Sequence, residues 1–312
     1  MSSRQARIPT PSLPSAGSLL VWAMVLAMSI PFLAGCASQS PLETSQLPVP
    51  STQPSQISLR VEVREGAFDC DLYLPARREP APLVIVAHGF SRTKASMADW
   101  GRCLSREGFA AAVPTLPAWS DHARNGRAIR QLVDWLQARP DIKGLIDTRC
   151  IGAMGFSAGG LATLLAAADD PRVALWVGLD PVDRDGQGAA AAARLKCLSL
   201  ILRAEPHPCN ARGNAASMAQ ALKADYTCLI VSGAAHTDAE WPTDGMAEWV
   251  CGKSSPQRRE VFVQYALAGL RAVLLSDGGS AAILDKVGED DRVRVLHQGS
   301  WNVGAEPQAA HE

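Results

Sequence analysis

Net charge is almost absent from this chain: 30 Lys and Arg against 31 Asp and Glu leave a formal −1 over 312 residues. A surface that holds a polyanion carries a cationic excess, so nothing here supports binding to nucleic acid. Internal repeats are lacking, and so is any second block of distinct composition. No pair of the eight cysteines has Cys-x-x-Cys spacing, and the histidines do not cluster with them, which argues against a zinc site. No metal and no cofactor is expected. Long apolar runs are missing too. The run Leu19 to Leu33, broken by Ser29 and Pro31, falls short of the ~20 residues a spanning helix needs.

That run follows Arg4 and Arg7, the arrangement of a secretory signal. It ends in Leu33-Ala34-Gly35-Cys36, which resembles the lipobox of bacterial lipoproteins. The resemblance implies that residues 1–35 are removed and that the Cys36 thiol carries a diacylglyceryl anchor. With Ala37 and not Asp after the cysteine, it further implies outer-membrane sorting, facing the periplasm or the cell surface. Residues 36–56 are rich in Pro, Ser, Thr and Gln without hydrophobic periodicity, as in a disordered tether. An exported chain permits disulfides. Seven cysteines remain beside Cys36, an odd number, so at least one thiol is free or intermolecular. Cys209 and Cys251 are read as loop residues, with the pairing left open.

About 255 residues remain after the tether, enough for one α/β domain. Its expected span is 57–276, with 277–312 as a partly ordered extension that holds a small edge element near Arg292 to Leu296. Ile57 to Arg64 alternates apolar and polar residues and pairs across Glu65-Gly66 with Phe68 to Leu74, an antiparallel hairpin. Continuous apolar runs follow at 83–87, 109–113, 150–154, 173–179, 198–203 and 228–231, the mark of strands covered on both faces. Helical stretches lie between them: 96–107, 128–138, 161–168 and 214–224, with 257–275 after the last. This alternation predicts a mainly parallel, doubly wound sheet with sites at the carboxyl ends of its strands. The connection from Leu179 to Leu198 is short and rich in Gly and Ala, which leaves no room for a separate lid domain.

The chemistry centres on Gly155-Phe156-Ser157-Ala158-Gly159, set between an apolar strand and a helix. Glycines flanking a serine permit a sharp strand-to-helix turn that presents the hydroxyl at the sheet edge. A hydroxyl needs a base and an orienting acid. His236 follows the last long strand, where it can reach back to Ser157. His88, His122, His207, His297 and His311 are less well placed. For the acid, Asp180 follows the strand 173–179 and Glu205 the strand 198–203; either gives the order Ser, acid, His, and Asp183 is a weaker third option. The developing oxyanion needs N–H donors, for which Ala158 and Phe90 are the candidates. Trp119 and Trp241 are candidate cleft walls.

Together, Ala87-His88-Gly89-Phe90, the Ser157 elbow, Gly178-Leu179-Asp180-Pro181-Val182-Asp183 and Gly233-Ala234-Ala235-His236-Thr237-Asp238 resemble the α/β-hydrolases. The set looks most like a chlorophyllase-like branch near the dienelactone-hydrolase and cutinase-like esterases. The Cys209-Asn210…Gly213-Asn214 loop adds to the likeness. The resemblance implies an α/β-hydrolase fold over about 61–275, Asp180 as the acid and a serine esterase acting on a small or bulky ester through an acyl-enzyme. A non-catalytic envelope binding lipoprotein on the same scaffold, or an acyltransferase using the same site, are the rival functions. Oligomeric state is not readable from the chain.

Overall fold

The computed structural model describes residues 53–76 and 79–301. The signal segment, Cys36 and the tether up to residue 52 lie outside the described residues, as does His311. The chain starts with β1 (Ser55–Val63) and β2 (Gly66–Leu74), paired antiparallel across Glu65. Then come β3 (Ala81–Ala87), α1 (Ala98–Arg106), β4 (Ala110–Pro114), α2 (His122–Ala138), β5 (Ile146–Phe156), α3 (Ala158–Ala168), β6 (Val173–Leu179) and α4 (Gln187–Ala192). The remainder is β7 (Leu198–Arg203), α5 (Ala215–Ala221), β8 (Tyr226–Val231), α6 (Gly245–Cys251), α7 (Pro256–Leu274), α8 (Gly278–Asp285) and β9 (Val293–His297).

These strands form one nine-stranded sheet in the order β1-β2-β4-β3-β5-β6-β7-β8-β9. Pairings from β4 through β8 are parallel, and β1·β2, β2·β4 and β8·β9 are antiparallel. The apolar runs read from the sequence are therefore the central strands, and they are buried on both faces for a topological reason: each parallel crossover lays a helix over the sheet. In β3, Leu83, Ile85 and Ala87 face a core built with α2 to α5, while Val84 and Val86 face one built with α1, α7 and α8. The link between β6 and β7 carries only the six-residue α4, as its small-residue composition implied.

Two departures have local causes. Helix α2 starts at His122, well before the expected Ala128, because the Asp121 side chain accepts the Arg124 N–H at 2.9 Å and caps it. Its first turns carry few apolar residues, so periodicity misses them. Beyond residue 276, α8 and β9 are part of the domain itself. β9 closes the sheet edge beside β8, and the buried Trp301 donates its indole N–H to Thr227 Oγ1 at 2.9 Å. The region expected as a partly ordered extension thus supplies core.

β9 is anchored by Asp290, whose carboxylate accepts Arg292 Nη2 and the Tyr265 hydroxyl, each at 2.7 Å. The Arg292 hydrogen bond, joined by Tyr265, holds the Asp290 carboxyl well below the usual carboxylate range. A carboxyl depressed in the fold stabilises above its unfolded value of about 3.9, and that contribution fades as pH falls through the folded value. Asp290→Asn is therefore less stable than the wild type at pH 7, with the gap closing below about pH 4. Urea unfolding across pH measures it; a gap that does not change with pH contradicts it.

Candidate active site

β5 runs straight into Ser157, and α3 begins at the next residue. Ser157 has φ 54° and ψ −122°, a sparsely populated conformation that costs about 1–3 kcal/mol. Its backbone is held on both sides: its N–H donates to Leu179 O at 3.1 Å, and its carbonyl accepts Gly160 and Val182 N–H at 3.0 and 3.1 Å. The flanking glycines are demanded by backbone contact. A Cβ on Gly155 would lie 2.3 Å from Gly159 O, and one on Gly159 would lie 2.3 Å from His88 O and 2.5 Å from Ala87 O. The loop after β3 is equally close, since a Cβ on Gly89 would sit 3.2 Å from Ser157 Cβ. That loop carries Phe90, and the N-terminus of α3 carries Ala158, so both expected donors belong to segments that meet at the serine.

Asp180 follows β6 in a left-handed conformation, φ 43°, its N–H donating to Leu202 O at 2.6 Å. Its carboxylate is fully buried and triply bonded. Oδ1 accepts Ala204 N–H at 3.0 Å; Oδ2 accepts Asn210 Nδ2 at 3.0 Å and meets His236 Nδ1 at 2.6 Å. A proton on Nδ1 facing this carboxylate would leave the other ring nitrogen with its lone pair. The imidazole ring lies 4.6 Å from the ring of Phe156, the residue before the serine. Ser157, Asp180 and His236 are all buried. The short turn His236–Ala239 is pinned by Asp238, which accepts Ala235 N–H at 2.8 Å, Ser255 N–H at 2.6 Å and Arg258 Nε at 2.6 Å.

Other candidates are occupied elsewhere. Glu205 is paired with Arg294 at 3.0 Å on β9, and that hydrogen bond holds its carboxyl below the ordinary value. Asp183 caps α4, accepting Gly188 and Ala189 N–H at 2.6 and 3.1 Å. His88 donates from Nδ1 to Gly89 O at 2.8 Å and accepts Leu116 N–H on Nε2 at 2.9 Å, while burial pushes its imidazole below the usual histidine range. It is a neutral brace between the ends of β3 and β4. Trp119 remains at the rim, 59% exposed, with its ring 5.0 Å from that of Phe90 in an edge-on contact. Trp241 instead packs edge-on to the buried Trp100 at 6.1 Å and joins the core.

Three contributors were given no role from the sequence. Arg92 makes a bidentate pair with buried Glu240 at 2.6 and 2.7 Å and reaches Asp244 at 2.8 Å, tying the Phe90 loop to the segment after His236. Cys209 and Cys251 form a disulfide. Neither is a loop residue: Cys209 sits in the short turn Pro208–Asn210, and Cys251 ends α6. The third is Asn210. Cys70, Cys103, Cys150, Cys197 and Cys228 carry free thiols. Among the described residues, no group of three His, Cys, Asp or Glu is placed to hold a metal.

The elbow yields a direct expectation. Gly159→Ala drives a methyl into two backbone carbonyls that have no room to yield, and lowers stability by about 2–3 kcal/mol. Urea unfolding reads this; a change under about 0.5 kcal/mol, the ordinary scale of a surface substitution, contradicts it.

Residues 51–247 match a family model described as PET hydrolase-like. A bis(hydroxyethyl) terephthalate hydrolase of Streptomyces coelicolor is 32% identical over 103 residues, so the match spans 33% of this chain and 33% of that relative. The crystal structure of a dienelactone hydrolase from Anabaena variabilis aligns with a TM-score of 0.57 at 21% identity, covering 71% of this chain and 99% of that one. The last likeness is one of fold. The matched family segment holds the hairpin, the Ser157 elbow, Asp180 and His236, and the chain belongs to the PET hydrolase-like family of α/β-hydrolases.

Proposed function

We propose that the protein is a lipid-anchored serine esterase that cleaves carboxylic esters, with Ser157 as nucleophile, His236 as base and Asp180 as the orienting acid. The observation that carries this reading is the 2.6 Å contact between His236 and buried Asp180, beside the elbow that holds Ser157. In the mechanism, Ser157 Oγ attacks the ester carbonyl while His236 Nε2 takes its proton, and Asp180 stabilises the imidazolium. The oxyanion of the tetrahedral intermediate faces the N–H groups of Phe90 and Ala158, the second at a helix N-terminus where the peptide dipoles favour negative charge. Collapse expels the alcohol, which takes the proton from His236. Water, deprotonated by the same imidazole, then releases the acid from the acyl-enzyme.

For the substrate, the terephthalate ester named for the relative points to an ester with an aromatic acyl group. The exposed Trp119 edge-on to Phe90 at the rim supports it, since flat rings stack there at little entropic cost. The lipobox-like Leu33 to Cys36 supports the anchor at Cys36 and, with it, a position at a membrane surface of the cell envelope. Among the described residues no helix is long and apolar enough to cross a membrane.

A fluorophosphonate probe followed by peptide mapping labels Ser157 without assuming a substrate. With bis(hydroxyethyl) terephthalate and p-nitrophenyl esters, Ser157→Ala abolishes turnover. Asp180→Asn loses about 10⁴-fold in kcat by analogy with other triads, while Glu205→Gln stays within about threefold, the ordinary scale for a surface pair. Turnover that does not depend on Ser157 sinks the Ser157 mechanism, and no turnover across acyl lengths favours a non-catalytic binding lipoprotein.

A further inference from the structure

Asn210 is fully buried, and every hydrogen-bonding position of its amide is filled. Oδ1 accepts His207 N–H at 2.8 Å and Gly213 N–H at 2.9 Å; Nδ2 donates to Glu205 O at 2.9 Å and to Asp180 Oδ2 at 3.0 Å. The amide can face only one way, because turning it over would set its NH₂ against two N–H groups. Its donor therefore meets the same carboxylate oxygen that holds His236 Nδ1.

The segment that presents this amide is costly to hold. Ala211, Arg212 and Gly213 follow with φ of 50°, 57° and 76°, three left-handed residues in a row. Buried Arg203 braces them by donating to Gly213 O at 2.6 Å. Beside Asn210, Cys209 is bonded to Cys251, and the carbonyl of the next residue, Gly252, accepts the hydroxyl of Thr237, the neighbour of His236. A closed ring of contacts results, from His236 through Asp180, Asn210, Cys209, Cys251, Gly252 and Thr237 back to His236. The covalent link in that ring joins the segment behind the acid to the segment beneath the base.

We propose that Asn210 is the positioning residue of the Asp180–His236 pair, mounted on the Cys209–Cys251 disulfide. This rests on reading that pair as the acid and base of the site. Asp180 Oδ2 takes its donors from the His236 ring and the Asn210 amide alone, because the backbone N–H of Ala204 reaches the other oxygen. The amide supplies that second donor without adding charge. The disulfide keeps it in register with the turn that carries His236.

The test reads the His236 Nδ1 proton, which resonates far downfield when held by a carboxylate, by NMR of histidine-labelled protein. Kinetics on a p-nitrophenyl ester are measured alongside. Asn210→Ala and Asn210→Asp both move or erase the signal. The aspartate variant keeps the two bonds from His207 and Gly213, while its second oxygen meets two acceptors, Asp180 Oδ2 and Glu205 O, and either repels them or shares a proton with one. In both variants kcat falls roughly 10- to 100-fold, the usual scale for a hydrogen bond to a charged group, with KM changed less than about threefold. Reducing the disulfide of the wild type gives the same displacement, reversed by reoxidation, and decides the matter if neither variant folds. Circular dichroism monitors the fold. A signal that stays in place in a folded variant or in the reduced protein overturns the proposal, and so does its absence from the oxidised wild type. If the signal responds as described but turnover does not depend on Ser157, the esterase reading falls and the positioning role stands. If Ser157-dependent turnover is present and the signal is indifferent, the reverse holds.

Discussion

The buried Asp180 carboxylate is the constraint around which this end of the sheet is arranged. Removing a carboxylate from water costs several kcal/mol unless donors replace the lost hydration. Here the donors come from three separate segments: Ala204 after β7, Asn210 in the following turn and His236 after β8. Those segments meet because parallel strands deliver their carboxyl ends to one side of the sheet. The charge and the topology are thus mutually dependent. The strands bring the donors, and the carboxylate gives the loops a reason to converge.

The central strands and the elbow were legible because both are local. Continuous apolar runs such as 83–87 report burial on two faces, and the glycines around Ser157 report contacts within a few residues along the chain or on the adjacent strand end. The acid was not legible from mechanics. Asp180 and Glu205 occupy equivalent places after neighbouring strands, and only one turns inward. Glu205 instead pairs with Arg294 on β9, 89 positions away in the chain. Likeness to known hydrolases favoured Asp180, and that is the carboxylate found beside His236. The motifs quoted for the resemblance fall within the segment matched as PET hydrolase-like, so the α/β-hydrolase superfamily was readable from the sequence.

What the sequence hid was mostly short or long-range. α4, α6 and α8 are too brief for a clear 3.6-residue pattern, and α2 begins on a cap and not on an apolar stripe. The pairing of Cys209 with Cys251 depends on folding that brings the end of α6 against the turn after β7. Arg92 is an ordinary residue in sequence, and Asn210 was visible only as part of a family-like loop, without a role. Each matters only through partners on other elements, so no spacing rule singles them out.

The pair between Arg92 and Glu240 has a bearing on the medium in which such a protein works. Glu240 is 1% exposed and Arg92 22%, so mobile ions have little access to the bond between them. Screening weakens solvent-facing charge pairs over a Debye length of about 10 Å at 0.1 M salt, but acts far less on a desolvated one. The link between the Phe90 loop and the segment after His236 therefore loses little of its strength as ionic strength rises.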